Sequence, residues 1–244
     1  MAKNAIILCS GGVDSVTTAY YAKKRLGYKH IIILFFNYGQ RTLEQERRAS
    51  KKYVQELKAK FIEIKLEWLG EISNSLINKS EKAKKITRKE LRDTKAESYK
   101  YYVPCRNTVF LVYALALAES VYIKNKEKYD IFVGFKQEGR ESYPDTTKKF
   151  VEEMNKLSKI SCSTKFNIFA PLINKDKEDI ILLGKKLGVN FKDTYSCYIG
   201  TGKKQMEHCG VCLSCRLRQE GFYWADVIDP TSYKEKMKDF RLAK

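Results

Sequence analysis

Two groups of residues have the types and spacing that chemistry requires. The first is the string SGGVDS, Ser10 to Ser15, directly behind the apolar run Ala5-Ile6-Ile7-Leu8. Gly11 and Gly12 let a backbone come close to an anion, and the Ser10 and Ser15 hydroxyls add donors. A phosphate loop of the G-x-x-x-x-G-K-[ST] kind carries a lysine for the β- and γ-phosphates, and this string has none. Asp14 repels a bare phosphate, so its carboxylate makes sense where Mg2+ bridges it to the phosphates. The plainer alternative is a glycine turn with a serine or aspartate cap. The second group is Cys197 with Cys209, Cys212 and Cys215, the last three in HCGVCLSC. Two overlapping C-x-x-C steps and a fourth thiol suit tetrahedral Zn2+, structural because no coordination position stays open. An iron–sulfur cluster accepts the same donors. Disulfides are the other alternative, although cytosolic chains rarely keep them. His208 reads as an exposed loop histidine, Cys9 as a small core residue, and Cys162 has no evident partner.

Two further motifs open helices. In YVPCRNTVFL, Pro104 restrains the residue before it, and Arg106 and Asn107 then stand at a helix start where a cation and an amide can face a ligand. A plain cap by Asn107 with a surface arginine is the alternative. In ESYPDTTKKF, Asp145 opens the next helix, and a carboxylate there can accept from the ring N–H and exocyclic amine of a guanine-like base, or only cap the helix.

The elements that must position these groups alternate between apolar runs and amphipathic stretches, the βαβ pattern of a Rossmann-like parallel sheet with helices on both faces. Strands are expected at residues 4–9, 30–36, 60–66 and 130–135, and helices at 13–26, 42–58, 107–124, 147–159 and 177–187, the last with Asp176 as its cap. Ligands of such sheets sit beyond the carboxyl ends of the strands, where SGGVDS falls. Residues 70–102 are polar and lysine-rich and read as a loop over the sheet, a lid in character. The expected division is a nucleotide domain, 1–190, and a cysteine-bearing segment, 191–244, packed on it.

A net charge of +18 invites a nucleic-acid partner. It rests on 36 lysines spread along the chain and only 11 arginines, the residue of bidentate recognition, so a solvated surface is expected and nucleic acid is not. No apolar stretch reaches the ~20 residues that span a bilayer, and no signal-peptide pattern opens the chain. A cytoplasmic protein without a membrane partner is expected.

SGGVDS resembles the pyrophosphate loop of the N-type ATP pyrophosphatases. Together with NYGQR at 37–41, VPCRN, YPD, PLINKDKEDII at 171–181 and the closing cysteines, it is similar to the 7-cyano-7-deazaguanine synthase (QueC) family over residues 5–230. The chain departs from the family pattern at Cys105, at Thr146, in the stretch before YPD and in the longer spacing from Cys197 to Cys209. The resemblance implies an ATP-dependent carbon–nitrogen ligase that converts 7-carboxy-7-deazaguanine and ammonia into the 7-cyano base through an adenylate, releasing AMP and pyrophosphate. It implies ATP contacts from Leu8, Cys9, Ser10, Gly11, Gly12, Val13, Asp14, Ser15, Asn37 and Gln40, and base contacts from Arg106, Asn107, Tyr143 and Asp145. Asp14, Lys177 and Arg106 are implied in catalysis, Cys197, Cys209, Cys212 and Cys215 in zinc binding, and the chain in a homodimer. The alternative within this resemblance is ligation of the carboxy base to another amine; the rival from another class is a tRNA-binding sulfur transferase in which the same adenylating loop activates a base carbonyl and a cysteine delivers sulfur.

Overall fold

The computed structural model describes residues 3–136, 143–202 and 206–235, so most of the stretch before the YPD motif lies outside it. The elements run β1 (Asn4–Leu8), α1 (Val13–Tyr20, continued by a π-turn), β2 (His30–Asn37), α2 (Leu43–Glu56), β3 (Lys60–Lys65), α3 (Trp68–Glu71), α4 (Lys95–Tyr99), α5 (Arg106–Asn125), β4 (Tyr129–Phe132), α6 (Lys148–Ser161), β5 (Ile168–Phe169), α7 (Lys177–Leu187) and α8 (Leu213–Trp224). Every strand pairing is parallel and the order is β3-β2-β1-β4-β5. The chain therefore doubles back across β1, and the switch point lies between the ends of β1 and β4, where sheets of this kind bind ligands.

Alternation along the strands builds two apolar layers. Ile6, Ile32, Leu34 and Ile131 face one cluster, which takes in Leu111, Ala114 and Ala118 of α5. Ala5, Ile7, Ile31, Ile33 and Phe132 face the other, with Val16 of α1, Tyr53 of α2 and Ile180 of α7. Both sides of β1 and β2 are covered, which is why these strands are apolar at nearly every position.

Four expectations change. By length and composition α5 is apolar enough to cross a membrane; in this fold Leu111, Ala114, Leu115 and Ala118 are buried in the first apolar layer. The segment at 70–102 is fastened rather than free. Leu76, Ile77, Ile86 and Tyr101 are buried in it, and the Ile86 amide donates to Val211 O at 3.2 Å beside the cysteines. Asp145 does not cap its own helix, because Thr147 accepts from the Phe150 amide there. Asp176 is the N-terminal residue of α7, but its side chain makes no capping bond.

Candidate active site

The chain leaves β1 through Cys9, which is buried, and turns at Gly11 with φ +82. A Cβ at Gly11 would stand 2.6 Å from Ala49 Cβ, so only glycine lets the loop lie on α2. Gly12 is the N-terminal flank of α1 and no side chain caps that helix. Gly12, Val13, Asp14 and Ser15 line a cleft of about 310 Å3, which presents the first turn of α1 to an anion. Ser15 Oγ donates to Gly12 O at 3.1 Å, and the Ser10 hydroxyl is exposed at the rim. Gly134, just past β4, presses on this loop from across the switch point: an added Cβ would lie 2.9 Å from both Asp14 C and Ser15 N. Lys177, first residue of α7, gives its ammonium to both Asp14 oxygens at 2.8 and 2.7 Å. Gly221 of α8 makes room for it, since a Cβ there would meet Lys177 Cγ at 2.2 Å.

The other wall of the cleft is aromatic and cationic. Arg106 donates from Nη1 to the Tyr38 hydroxyl at 3.2 Å, its guanidinium 5.3 Å from the Tyr38 ring centre. Phe36 and Phe110 stack at 4.0 Å. Tyr143 donates its hydroxyl to Ser98 O at 2.8 Å and stacks on Tyr102. Asp145 is buried, and its Oδ2 accepts the Asn107 amide at 3.0 Å, while Asn107 Nδ2 donates to Asp145 O at 3.2 Å. Its carboxylate thus caps α5 and holds Arg106 and Asn107 at the cleft. Asn37 and Gln40 build the turn behind the wall. Asn37 Nδ2 donates to Glu67 at 2.9 Å, and Gln40 accepts the Tyr38 amide at 2.9 Å and donates to Phe36 O at 2.9 Å. Of the residues named from sequence, Leu8, Cys9, Ser10, Gly12, Val13, Asp14, Ser15, Arg106, Asn107, Tyr143 and Lys177 meet at the cleft. Gly11, Asn37, Gln40 and Asp145 support it from behind.

Two cleft residues carried no signal in the sequence. Glu46 of α2 is 9 % exposed and accepts from Thr42 Oγ1 at 2.7 Å and Gln40 Nε2 at 3.2 Å. Burial pushes its carboxyl up to about 7 against those two hydrogen bonds. Arg218 of α8 is buried, with its guanidinium on Asp229 (Nη2 to Oδ1, 3.1 Å), Thr194 Oγ1 (2.7 Å) and Phe191 O (3.1 Å). It fixes the strand-like stretch 194–196, whose Tyr195 amide donates to Gly11 O at 2.9 Å.

The four cysteines converge behind this stretch. All four sulfurs lie within 4.8 Å of one another, Cys209 and Cys215 at 3.8 Å, and all are buried. Tetrahedral Zn–S bonds of ~2.3 Å place sulfurs about 3.8 Å apart. The Gly200 and Cys209 amides donate to Cys197 Sγ at 3.2 and 3.4 Å, and the Val211 and Cys212 amides to Cys209 Sγ at 3.4 Å each. Hydrogen bonds from the other three thiols, Cys209 first, hold Cys197 far below the ordinary thiol range, whereas burial raises Cys212 and Cys215. Four buried thiols can ionise together only around a cation, so the donor set fits a soft divalent metal. His208 is not an exposed loop residue. It is 1 % exposed between Tyr195 and Tyr233, its Nε2 accepts the Ser196 amide at 2.9 Å, and burial lowers it to about 4, so the ring is neutral.

Sheet, cleft and cysteine cluster together define a Rossmann-like α/β protein with a glycine-rich loop at its switch point and four clustered cysteines that could hold a metal. The chain belongs to the family described as queuosine biosynthesis protein QueC, whose model matches residues 4–226. It is 37 % identical over 239 residues to the 7-cyano-7-deazaguanine synthase of Methanosphaera stadtmanae, covering 96 % of this chain and 100 % of that one. It is 40 % identical over 235 residues to the synthase of that name from a Nitratiruptor species, covering 94 % and 98 %. Among solved structures, NMN synthetase from Francisella tularensis aligns with 93 % of this chain and 79 % of its own, at 15 % identity and a TM-score of 0.41.

Proposed function

We propose that this protein is a 7-cyano-7-deazaguanine synthase that activates the carboxyl group of 7-carboxy-7-deazaguanine with ATP. The observation that carries the reading is that the family match, residues 4–226, includes every residue named in the cleft and all four cysteines. The loop from Ser10 to Ser15 and the first amides of α1 take the β,γ-pyrophosphate, and Lys177 a phosphate. Asp14 holds Mg2+, which when bound neutralises charge on the departing pyrophosphate. Asp14 and Lys177 would then exchange their mutual ion pair for these partners. The base lies along Phe36, Tyr38, Phe110 and Tyr143, with Arg106 facing its carboxylate.

A substrate carboxylate oxygen attacks the α-phosphorus, and pyrophosphate leaves. Ammonia attacks the acyl carbon of the adenylate, AMP leaves, and the amide forms with loss of a proton. A second ATP activates the amide oxygen in the same way, and loss of AMP and a proton gives the nitrile. Loop amides and Lys177 stabilise the developing charge, and no protein nucleophile is needed. The four cysteines hold Zn2+ in a structural role, since four protein ligands leave no open position. The reading includes a cytoplasmic homodimer, which light scattering checks.

The test is mass spectrometry of base products, with chromatography of nucleotides, after incubation with ATP, Mg2+, ammonium and 7-carboxy-7-deazaguanine. The expected products are the 7-cyano base, AMP and pyrophosphate. ADP and phosphate as main products would overturn the mechanism. An amide that goes no further would point to ligation of another amine, and sulfur gained by tRNA with the base untouched would overturn the function.

A further inference from the structure

The proposed reaction needs a nitrogen nucleophile, and at neutral pH that nucleophile arrives as ammonium, a cation. The loop side of the cleft is built for anions and the Arg106 side for a carboxylate. Glu46 has neither character. It is a buried carboxylate, it lines the same cleft as Tyr38, Arg106 and Phe110, and its neighbours Thr42 and Gln40 each give it one neutral donor. A carboxylate offers about four acceptor positions, so each oxygen keeps one to spare. Among the described residues no lysine or arginine forms an ion pair with it: Lys177 is spent on Asp14 and Arg218 on Asp229, while Arg106, hydrogen-bonded to the Tyr38 hydroxyl, acts on the Glu46 carboxyl only by its nearby charge, which lowers it against the burial. Buried carboxylates are costly unless a cation meets them.

We propose that Glu46 is the ammonium-binding residue of the cleft. The assignment rests on the synthase reading above and deepens it. Gln40 ties the two halves of this subsite together, because it accepts the Tyr38 amide at 2.9 Å and donates to Glu46 at 3.2 Å. Tyr38 in turn holds Arg106. The cation that faces the substrate carboxylate and the anion that faces ammonium are therefore fixed to one turn, so nucleophile and acyl carbon meet in the same part of the cleft. The Tyr38 and Phe110 rings line the same cleft as Glu46 and suit a small monovalent cation. In the reaction, bound ammonium gives one proton to the Glu46 carboxylate. The freed electron pair forms the C–N bond to the acyl carbon, the C–O bond to AMP breaks, and AMP takes that pair. The second N–H proton passes to solvent, and Glu46 returns its own proton to solvent.

Glu46→Gln in the full-length protein separates this role from a structural one. Three rates are measured at one fixed pH: pyrophosphate exchange into ATP driven by 7-carboxy-7-deazaguanine without ammonium, amide formation against ammonium concentration, and hydroxamate formation with hydroxylamine. Hydroxylamine is uncharged at neutral pH and does not need an anion to bind it. The expected result is an ammonium KM raised roughly 10- to 100-fold, the loss of a charge-assisted hydrogen bond, with exchange and hydroxamate formation within about twofold of wild type. An unchanged ammonium KM, or equal losses in all three assays, would overturn the assignment. Should Glu46→Gln fail to fold, Glu46→Asp is read in the same three assays, with a smaller rise in ammonium KM expected and the same two results against it. Absence of base-driven exchange in the wild type would overturn the synthase reading and this assignment with it, whereas exchange with an unaltered ammonium response in the variant strikes the assignment alone.

Discussion

Replacing Gly134 by alanine tests whether the switch point positions the anion-binding loop. The new Cβ would lie 2.9 Å from Asp14 C and Ser15 N and 3.0 Å from Asp14 O, all backbone atoms of a helix start that is itself packed against α2. No flexible side chain is available to yield, so the loop or β4 must shift by several tenths of an ångström. Overpacking of this kind costs about 1–3 kcal/mol. For a chain this long each kcal/mol moves the melting temperature roughly 2–4 °C, which sets an expected drop of about 2–12 °C in a thermal melt. Displacement of catalytic groups on this scale lowers turnover by up to roughly 100-fold, read as base-dependent AMP formation by chromatography. Gly202→Ala is the control, since a Cβ there meets nothing within 4 Å. A Gly134→Ala protein with wild-type melting and wild-type AMP formation would refute the positioning role of this contact.

Asp14→Asn removes the partner of Lys177 and the proposed Mg2+ ligand at constant size, so turnover should fall at least about 100-fold while circular dichroism stays native. Metal analysis of purified protein should give about one zinc per chain, and Cys212→Ser should reduce soluble yield and bound zinc together, because structural zinc contributes folding free energy; a visible-absorbing iron cluster would contradict this. Arg218→Ala strands Asp229 in a buried site and should cost about 3–5 kcal/mol, seen as a lower urea midpoint.

Short-range signals in the sequence were faithful. SGGVDS after an apolar run, the alternation of strands and helices, and the C-x-x-C steps of Cys209, Cys212 and Cys215 each depend on neighbours within a few residues, and each has its counterpart in the fold. What the sequence concealed depends on distant partners. β5 is only two residues long and is a strand because β4 pairs with it. Asp145 looks like the start of its own helix, yet it caps another by accepting the amide of Asn107, 38 residues earlier. Glu46 lies in the polar stretch LEQERR, which reads as a solvated helix face until the 37–40 turn folds over it. His208 follows the same logic: only the rings of Tyr195 and Tyr233, from separate segments, take it out of water.

The loop proposed to bind pyrophosphate is gripped from three directions, by Ala49 of α2 under Gly11, by Gly134 under Asp14 and Ser15, and by the Tyr195 amide on Gly11 O. Its conformational entropy is therefore surrendered when the chain folds and not when nucleotide arrives. Opening this loop means giving up all three contacts at once, which places it toward the costly end of local unfolding. Among the described residues, the loop end of the cleft is thus its stiff side. In the proposed reaction, slow steps such as admitting the base or releasing product are then expected at the aromatic wall on the opposite side of the cleft.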